Sequence, residues 1–153
     1  MKVFQGLAEL EKAVGTHLGH SDWHTVTQEQ VDQFAEATGD HQWIHVDPEK
    51  AAAGPFGGTI AHGYLTLSLI SKFAWQIYKV DGLAMGLNYG TNKVRFPAPL
   101  PVGSRIRAGV EVVSLTPGRG GSQLVTRVTV EREGGEKPVC VAEIVAVLVP
   151  KTD

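Results

Sequence analysis

The chain has 153 residues, enough for a single domain, which we expect to span 1–153, with its own hydrophobic core. Hydrophobic residues make up 42% and charged residues 20%, and the net charge is only −2, which argues against a basic nucleic-acid-binding protein and against a disordered acidic tail. Cys140 is the one cysteine, no apolar run reaches the roughly 18 residues of a membrane span, and the amino end lacks a signal-peptide pattern, so we expect a cytoplasmic protein.

The amino-terminal segment carries a short helix pattern. An apolar residue recurs every three or four positions from Phe4 to Val14, ahead of Gly15, which predicts an amphipathic helix that ends at the glycine. Residues 17–26 are mixed in character and are compatible with one strand.

Two further helices carry capping signals. Thr27 begins a capping-box pattern, and Gly39 closes the helix that follows. Asp47 precedes a proline and marks the start of another short helix. Because the first helix stops at Gly39 and the next begins after Asp47, we expect residues 40–46 to be non-helical.

The longest helix pattern runs from Gly63 to about Val80. Lys72 and Lys79 are its only charges, and apolar residues occupy nearly the whole circumference, which predicts a helix that is buried on most sides. A glycine-containing loop over 54–62 leads into it, and long loops in compact domains are often functional.

The second half of the chain is predicted to form an antiparallel meander. Segments 84–96, 104–115, 122–133 and 137–149 are rich in Val, Ile and Thr, with turn residues between them. The last segment is apolar on both faces except at Glu143, so we expect it to be covered by the helix and by another subunit. This order of elements predicts an α+β fold in which a curved antiparallel sheet wraps around a long central helix.

The stretch GDHQWIH, residues 39–45, combines an acid with two histidines. His41 and His45 have a spacing that suits a metal site on a helix, but this segment is expected to be non-helical. Gln42 stands where a zinc-protease helix has glutamate, and no cysteine is near, so we expect no metal. We expect the upstream histidines to be exposed or hydrogen-bonded: His17, His20 and His24.

Asp40 and His45 are the side chains of this stretch that are best suited to share one water molecule. A loop can bring together residues five apart, and a carboxylate can orient an imidazole. Trp43 and Ile44 supply apolar walls, which shift pKa values. The simpler interpretation is that Asp40 caps backbone amides and that His45 is an ordinary hydrogen-bonded loop residue.

Other catalytic patterns are not found in the sequence. Cys140 lies among apolar neighbours, which makes a thiol inert. There is no Gly-x-Ser-x-Gly elbow, and the glycines of the 54–63 region match neither a dinucleotide-binding nor a phosphate-binding loop.

Gly63 begins the most buried helix with a residue that has no side chain. Helix amino ends present unpaired N–H groups and partial positive charge, so a carbonyl oxygen placed there would gain an oxyanion hole. Two other roles remain open, since Gly63 also permits tight helix–sheet packing and His62 would cap the helix.

These residues carry a family resemblance. The segment FAEATGDHQWIHVDPEKAAAGPFGGTIAHGYLTLSLIS looks like the signature of the MaoC-like dehydratase family, the (R)-specific enoyl-CoA hydratases with a hot-dog fold. The later segment NYGTNKVRFPAPLPVGSRIR resembles the family's next characteristic segment, and residues 20–149 are similar to its nodulation-protein-N-like branch. The resemblance implies a hot-dog fold, the catalytic pair Asp40 and His45, and a backbone oxyanion site at Gly63.

The resemblance also implies supporting residues. Ser71 matches a serine that supports the catalytic pair in some relatives, and Gln42 and Trp43 stand where the family usually has Asn-Pro. An acyl pocket is expected around Trp43, Phe56 and Tyr64. Coenzyme A phosphates would be met by Lys93 and Arg95, although a solvated strand face explains these two equally well.

The implied activity is reversible syn addition of water to a trans-2-enoyl thioester, which gives an (R)-3-hydroxyacyl thioester. The expected substrate is an acyl-CoA or acyl-carrier-protein thioester, no further cofactor is expected, and the expected assembly is a homodimer or larger homo-oligomer. Two alternatives are an acyl-CoA thioesterase of the same fold and a non-catalytic acyl-thioester-binding module. A hot-dog thioesterase typically has its carboxylate on the central helix, and residues 63–80 contain no Asp or Glu.

Overall fold

The computed structural model describes residues 1–152. In chain order its elements are β1 (Lys2–Phe4), α1 (Leu7–Glu11), β2 (His17–His20), β3 (His24–Thr25), α2 (Gln28–Thr38), α3 (Trp43–Val46), α4 (Pro48–Ala52), α5 (Gly63–Ile77), β4 (Tyr78–Val80), β5 (Leu83–Arg95), β6 (Arg105–Gly118), β7 (Gly121–Arg132) and β8 (Cys140–Pro150).

One antiparallel sheet holds the long strands, in the order β2–β6–β7–β8–β5, and β3 also pairs with β6. The predicted meander is confirmed for β6, β7 and β8, which follow one another in the sheet. The first long strand, β5, does not follow the predicted meander order, because it pairs with β8 and not with β6. This places β5 at an edge of the sheet, with its other side unpaired among the described residues.

Helix α5 packs against the inner face of this sheet, as the predicted α+β architecture requires. It buries Leu65, Thr66, Leu69, Ile70, Phe73 and Ile77. The prediction that it is buried on most sides is wrong for one stripe, since Tyr64 is 68% exposed and Trp75 is 75% exposed. The helix also ends earlier than predicted, because residues 78–80 form the strand β4.

The amino-terminal segment contains a strand that the helix pattern concealed. Lys2–Phe4 pairs in parallel with Tyr78–Val80, so Phe4 belongs to β1 and α1 begins only at Leu7. Phe4 is buried in the core from this strand. The segment 17–26 likewise differs from the prediction, since it forms two short strands on β6 and not one.

The predicted caps of α2 and α4 are confirmed. The Thr27 side chain accepts a hydrogen bond from the Gln30 amide at 3.2 Å, and Gly39 ends α2 in the left-handed region with φ of 80°. The Asp47 carboxylate accepts from the Lys50 amide at 3.0 Å. The prediction that residues 40–46 are non-helical is wrong for Trp43–Val46, which form a single helical turn.

Strand β8 lies inside the sheet, between β7 and β5. Its residues Cys140, Ala142 and Leu148 belong to the core beneath α5. The Cys140 side chain is fully buried. Among residues 1–152, no helix has the length and apolar character needed to cross a membrane.

Candidate active site

Asp40 and His45 lie on either side of the turn that joins α2 to α3. Gly39 ends α2, Asp40 follows it in the loop, and His45 is on the short helix α3. The Asp40 carboxylate accepts a hydrogen bond from the Gln42 amide at 3.3 Å, and the side chain is exposed. The His45 side chain is buried, with only 7% of the residue exposed.

The imidazole of His45 is held in one tautomer by the loop before α5. Its Nδ1 lies 2.6 Å from the backbone oxygen of Ile60. A carbonyl oxygen only accepts hydrogen bonds, so Nδ1 carries the proton and Nε2 of the neutral ring has a free lone pair. That lone pair is suited to accept a proton from a water molecule.

The backbone around His45 is fixed by a second set of bonds. Gln28, the first residue of α2, donates to the His45 carbonyl at 2.7 Å and accepts from the Thr59 hydroxyl at 2.6 Å. The Ile60 amide donates to the Ile44 carbonyl at 3.0 Å. The 54–62 loop is therefore tied to α3 through its last residues, and both contribute to the position of His45.

His62 completes the group, and the sequence-based prediction missed its role here. It is 2% exposed, and its ring stacks on that of His45 with centroids 3.9 Å apart and planes at 26°. Its Nε2 donates to the backbone oxygen of Asp40 at 3.0 Å. The signal in the sequence is a histidine directly before the helix start, and capping is one of the roles that this position suggests. His62 is the N-cap residue of α5, but its side chain makes no capping hydrogen bond.

Asp40, His45 and His62 have potential ligand atoms within 4.8 Å of one another. The metal pair considered from the sequence is His41 with His45, and no metal is expected there, whereas the structure brings together a different trio. Zinc binds in the plane of an imidazole at about 2.0–2.1 Å from nitrogen. Two rings stacked at 3.9 Å and 26° have planes that meet well beyond that distance, so one ring would have to turn before both could bind one ion. The stacked arrangement favours hydrogen bonding over coordination.

Burial controls the electrostatics of His45. Burial lowers the pKa of the imidazole, and the neighbouring His62 lowers it further, whereas the Ile60 carbonyl and the Asp40 carboxylate oppose them by raising it. The net direction is downward from 6.5. At neutral pH the ring is therefore neutral, with Nε2 free to accept a proton.

The amino end of α5 lies directly beside the stacked His45 and His62 rings, because Gly63 follows His62 in the chain. The Leu65 and Thr66 amides both donate to the His62 carbonyl. The Gly63 amide forms no hydrogen bond within residues 1–152, as expected for the first residue of a helix. A Cβ at Gly63 would lie 2.9 Å from the Phe96 ring, so close packing by itself already requires a glycine here.

The contacts of Gln42 and Trp43, which replace the family's usual Asn-Pro, are contacts that hold the local backbone and packing. The Gln42 carbonyl begins α3 by accepting from the His45 amide at 3.0 Å. The Trp43 ring contacts the Lys50 ammonium, 4.9 Å from its centroid, and leaves no room for a side chain at Gly54. His41 is exposed and lies 3.6 Å from Glu36, on the outside of the turn.

Ser71 is two turns further along α5 and lines an apolar cavity of about 450 Å³ between this helix, β5 and the sheet. Ile70, Val128 and Leu148 also line this cavity. No hydrogen bond joins Ser71 to Asp40 or His45 among the described residues.

The other predicted pocket and phosphate residues are dispersed. Phe56 is 45% exposed in the 54–62 loop, and Tyr64 packs edge-on against Phe96 with centroids 6.1 Å apart. Lys93 and Arg95 are exposed on the edge strand β5. None of these four residues lines the cavity beside Ser71 within this chain.

Comparison with known proteins shows the family to which the chain belongs. The model of the MaoC like domain matches residues 9–134. The chain is 57% identical over 144 residues to 3-hydroxyacyl-thioester dehydratase Z of Mycobacterium tuberculosis (strain ATCC 25618 / H37Rv), covering 94% of this chain and 95% of that protein. It is 49% identical over 146 residues to nodulation protein N of Rhizobium leguminosarum bv. viciae, covering 93% and 90%.

The solved structures agree. An (R)-hydratase from A. caviae involved in PHA biosynthesis aligns with a TM-score of 0.70 and 29% identity, covering 88% of this chain and 96% of that one. The chain therefore belongs to the MaoC-like dehydratase family, and the predicted hot-dog fold and nodulation-protein-N-like resemblance are confirmed.

Proposed function

We propose that this protein is an (R)-specific enoyl-CoA hydratase, or 3-hydroxyacyl-thioester dehydratase in the reverse direction. One observation carries the assignment. The His45 imidazole, with its Nδ1 proton donated to the Ile60 carbonyl, lies beside the Asp40 loop and the amino end of α5. A proton acceptor, a carboxylate and a site for an oxyanion thus lie together, which is the set that addition of water to an enoyl thioester needs.

In this proposal Asp40 and His45 hold one water molecule between them. As the water oxygen forms a bond to C3 of the enoyl group, one of the pair accepts a water proton. The pair then passes that proton to C2 on the same face, so the net change is addition of H and OH across the double bond. The C2–C3 double bond becomes single, so atoms and charge balance without a redox cofactor.

Charge that develops on the thioester oxygen is placed, in this proposal, at the Gly63 amide. That amide is free of partners within residues 1–152 and lies at the positive end of the α5 dipole.

The acyl chain is proposed to run along α5 from Gly63 towards Ser71. Eight residues of helix span about 12 Å, which leads from the helix start to the cavity of about 450 Å³. Its wall is mainly apolar, and its volume is within the ~300–1,000 Å³ of small-molecule pockets. An acyl tail fits this wall better than the dispersed set of Trp43, Phe56 and Tyr64. Either a coenzyme A or an acyl-carrier-protein thioester is compatible with it, and Lys93 and Arg95 remain candidates for a phosphate.

A homodimer is proposed from the edge strand. β5 is 13 residues long and carries exposed apolar side chains, Leu87 at 49% and Tyr89 at 71%, next to the exposed Trp75 of α5. A long apolar edge strand is ordinarily covered by another chain. A cytoplasmic location is proposed with it, supported by the single, buried cysteine.

The test is a spectrophotometric assay with crotonyl-CoA, scored for loss of enoyl absorbance and for thiol release. Asp40→Asn and His45→Gln are each expected to lower the hydration rate by ~10²–10⁴ without unfolding the protein. His41→Gln, on the outside of the same turn, is the matched control and should keep the rate. Thiol release without hydration would indicate a thioesterase, and binding without turnover would indicate a non-catalytic module.

A further inference from the structure

We propose that His62 is a positioning residue that fixes the spacing of Asp40 and His45 and holds the His45 ring in its reactive orientation. This inference deepens the proposed hydration, on which it rests. His62 contacts both members of the pair, through its Nε2 bond to the Asp40 backbone oxygen and its stack on the His45 ring.

The first contact restrains Asp40. Its side chain is exposed and, within residues 1–152, accepts only the 3.3 Å bond from the Gln42 amide, so the carboxylate depends on the backbone of its loop for its position. The His62 Nε2–H···O bond of 3.0 Å ties that backbone to the start of α5. A shift of about 1 Å in a reacting group is enough to lower a rate roughly 10²-fold.

The second contact restrains His45. The Nδ1 bond to Ile60 leaves the ring free to tilt about that bond, and His62 covers one of its faces. Phe34 of α2 packs on His62 with centroids 4.9 Å apart, so the stack is backed by the helix that precedes the Asp40 loop. The rings of Phe34, His62 and His45 thus link α2, the start of α5 and α3.

A third observation separates this role from simple packing. The Nδ1 atom of His62 is buried and has no hydrogen-bond partner among residues 1–152. A buried polar atom without a partner costs stability. A phenyl ring would fill the same space without that cost, so stability alone does not explain a histidine here.

Two substitutions at His62 remove its two contacts one at a time. His62→Phe keeps the stack with His45 and Phe34 but loses the bond to Asp40. His62→Gln keeps an amide that can donate to the Asp40 carbonyl but loses the stack. His41→Gln serves as the control because that residue is exposed on the outer side of the turn.

The expected result for His62→Phe is a melting temperature at or above that of the wild type, with kcat lowered about 10- to 100-fold and KM changed much less. His62→Gln should recover part of the lost kcat. A kcat of His62→Phe equal to wild type overturns the proposal, and so does a loss in both variants that merely follows the fraction of unfolded protein.

An NMR titration of the His45 Cε1–H signal, assigned by its loss in His45→Gln, provides a readout that needs no substrate. The titratable groups that act on the His45 pKa are Asp40, from the loop after α2, and His62, from the segment before α5. Removal of His62 should move the His45 pKa upward in both variants. An unmoved pKa overturns the inference even where kcat falls, and if His62→Phe does not fold, the same titration of His62→Gln decides.

The two proposals fail in different ways. If the wild-type protein does not hydrate enoyl thioesters, the proposed function is wrong, while the NMR titration still reports whether His62 acts on the His45 ring. If the wild type is active and the His62 variants match it in rate and in His45 pKa, only the positioning role is wrong.

Discussion

A Cβ atom at Gly63 would lie 2.9 Å from Cδ2 of the Phe96 ring. The first residue of the central helix is thus packed beneath an aromatic side chain from the segment after β5, and Tyr64 contacts the same ring from its edge. This close packing leaves no room for a side chain at the first residue of α5.

Gly63→Ala is therefore expected to displace Phe96 and to lower the unfolding free energy by about 1–3 kcal/mol, the usual cost of overpacking. Phe96→Ala in the same chain should remove the clash, so the double variant should lose less stability than the sum of the single changes. Gly58→Ala is the control, since a Cβ there meets nothing within 4 Å. Additive losses in urea denaturation would contradict the packing explanation.

Gln28→Ala should destabilise the protein by about 1–3 kcal/mol, because it leaves the His45 carbonyl and the Thr59 hydroxyl without the partner that joins them. We also expect a lower hydration rate, since both bonds hold the backbone around His45. Gln33→Ala on the exposed side of the same helix should change neither quantity. Urea denaturation and the crotonyl-CoA assay measure both, and equal behaviour of the two variants would be contrary to this prediction.

The lowered pKa of His45 predicts acid sensitivity of the fold. The folded state binds fewer protons at this site than the unfolded chain, whose histidine has a pKa of 6.5. Well above pH 6.5, His45 is neutral in both states and does not affect stability. As the pH falls from about 6.5 towards the lower pKa of the folded state, the unfolded chain binds the proton more readily and the protein loses stability. His45→Gln should flatten this dependence in denaturation curves collected between about pH 7.5 and pH 5.5, whereas His41→Gln should not. An identical slope in His45→Gln would argue that the pKa is not lowered.

Cys140 should be unreactive while the protein is folded. Burial raises the pKa of its thiol to about 11, so almost no reactive thiolate forms near neutral pH. The side chain is also fully buried in β8, so a reagent cannot reach it. Ellman's reagent should release colour only after urea is added, at the rate of unfolding. Rapid labelling of the native protein would place Cys140 nearer the surface than the structure does.

The exposed apolar side chains of the edge strand β5 predict that the protein forms a homodimer through this strand. Leu87→Glu and Tyr89→Glu place charges on the exposed apolar part of β5, so light scattering should find a smaller assembly than for the wild type. Val14→Glu is the control, since Val14 is also an exposed apolar residue, at 39%, but follows α1. A wild-type protein that is already monomeric would exclude the proposed dimer.

The local features of this protein were determined by the sequence itself. The Thr27 cap, the Gly39 stop and the Asp47–Pro48 helix start depend on bonds between residues within four positions of one another, so their patterns predicted them correctly. The strands β6, β7 and β8 were predictable for the same reason, since β-branched residues and hairpin turns mark each of them.

The tertiary structure alone decided features that join distant residues. Phe4 has a helical spacing to its neighbours but lies in a strand, because the partner of β1 is more than 70 positions away in β4. The stack of His62 on His45 spans 17 positions and depends on where the 54–62 loop is tied to α3. No periodicity records such a contact, since it arises only when α2, α3 and the start of α5 meet. The sequence therefore pointed to Asp40, His45 and Gly63 as candidates, whereas the contacts of His62 with Asp40 and His45 follow only from the tertiary structure.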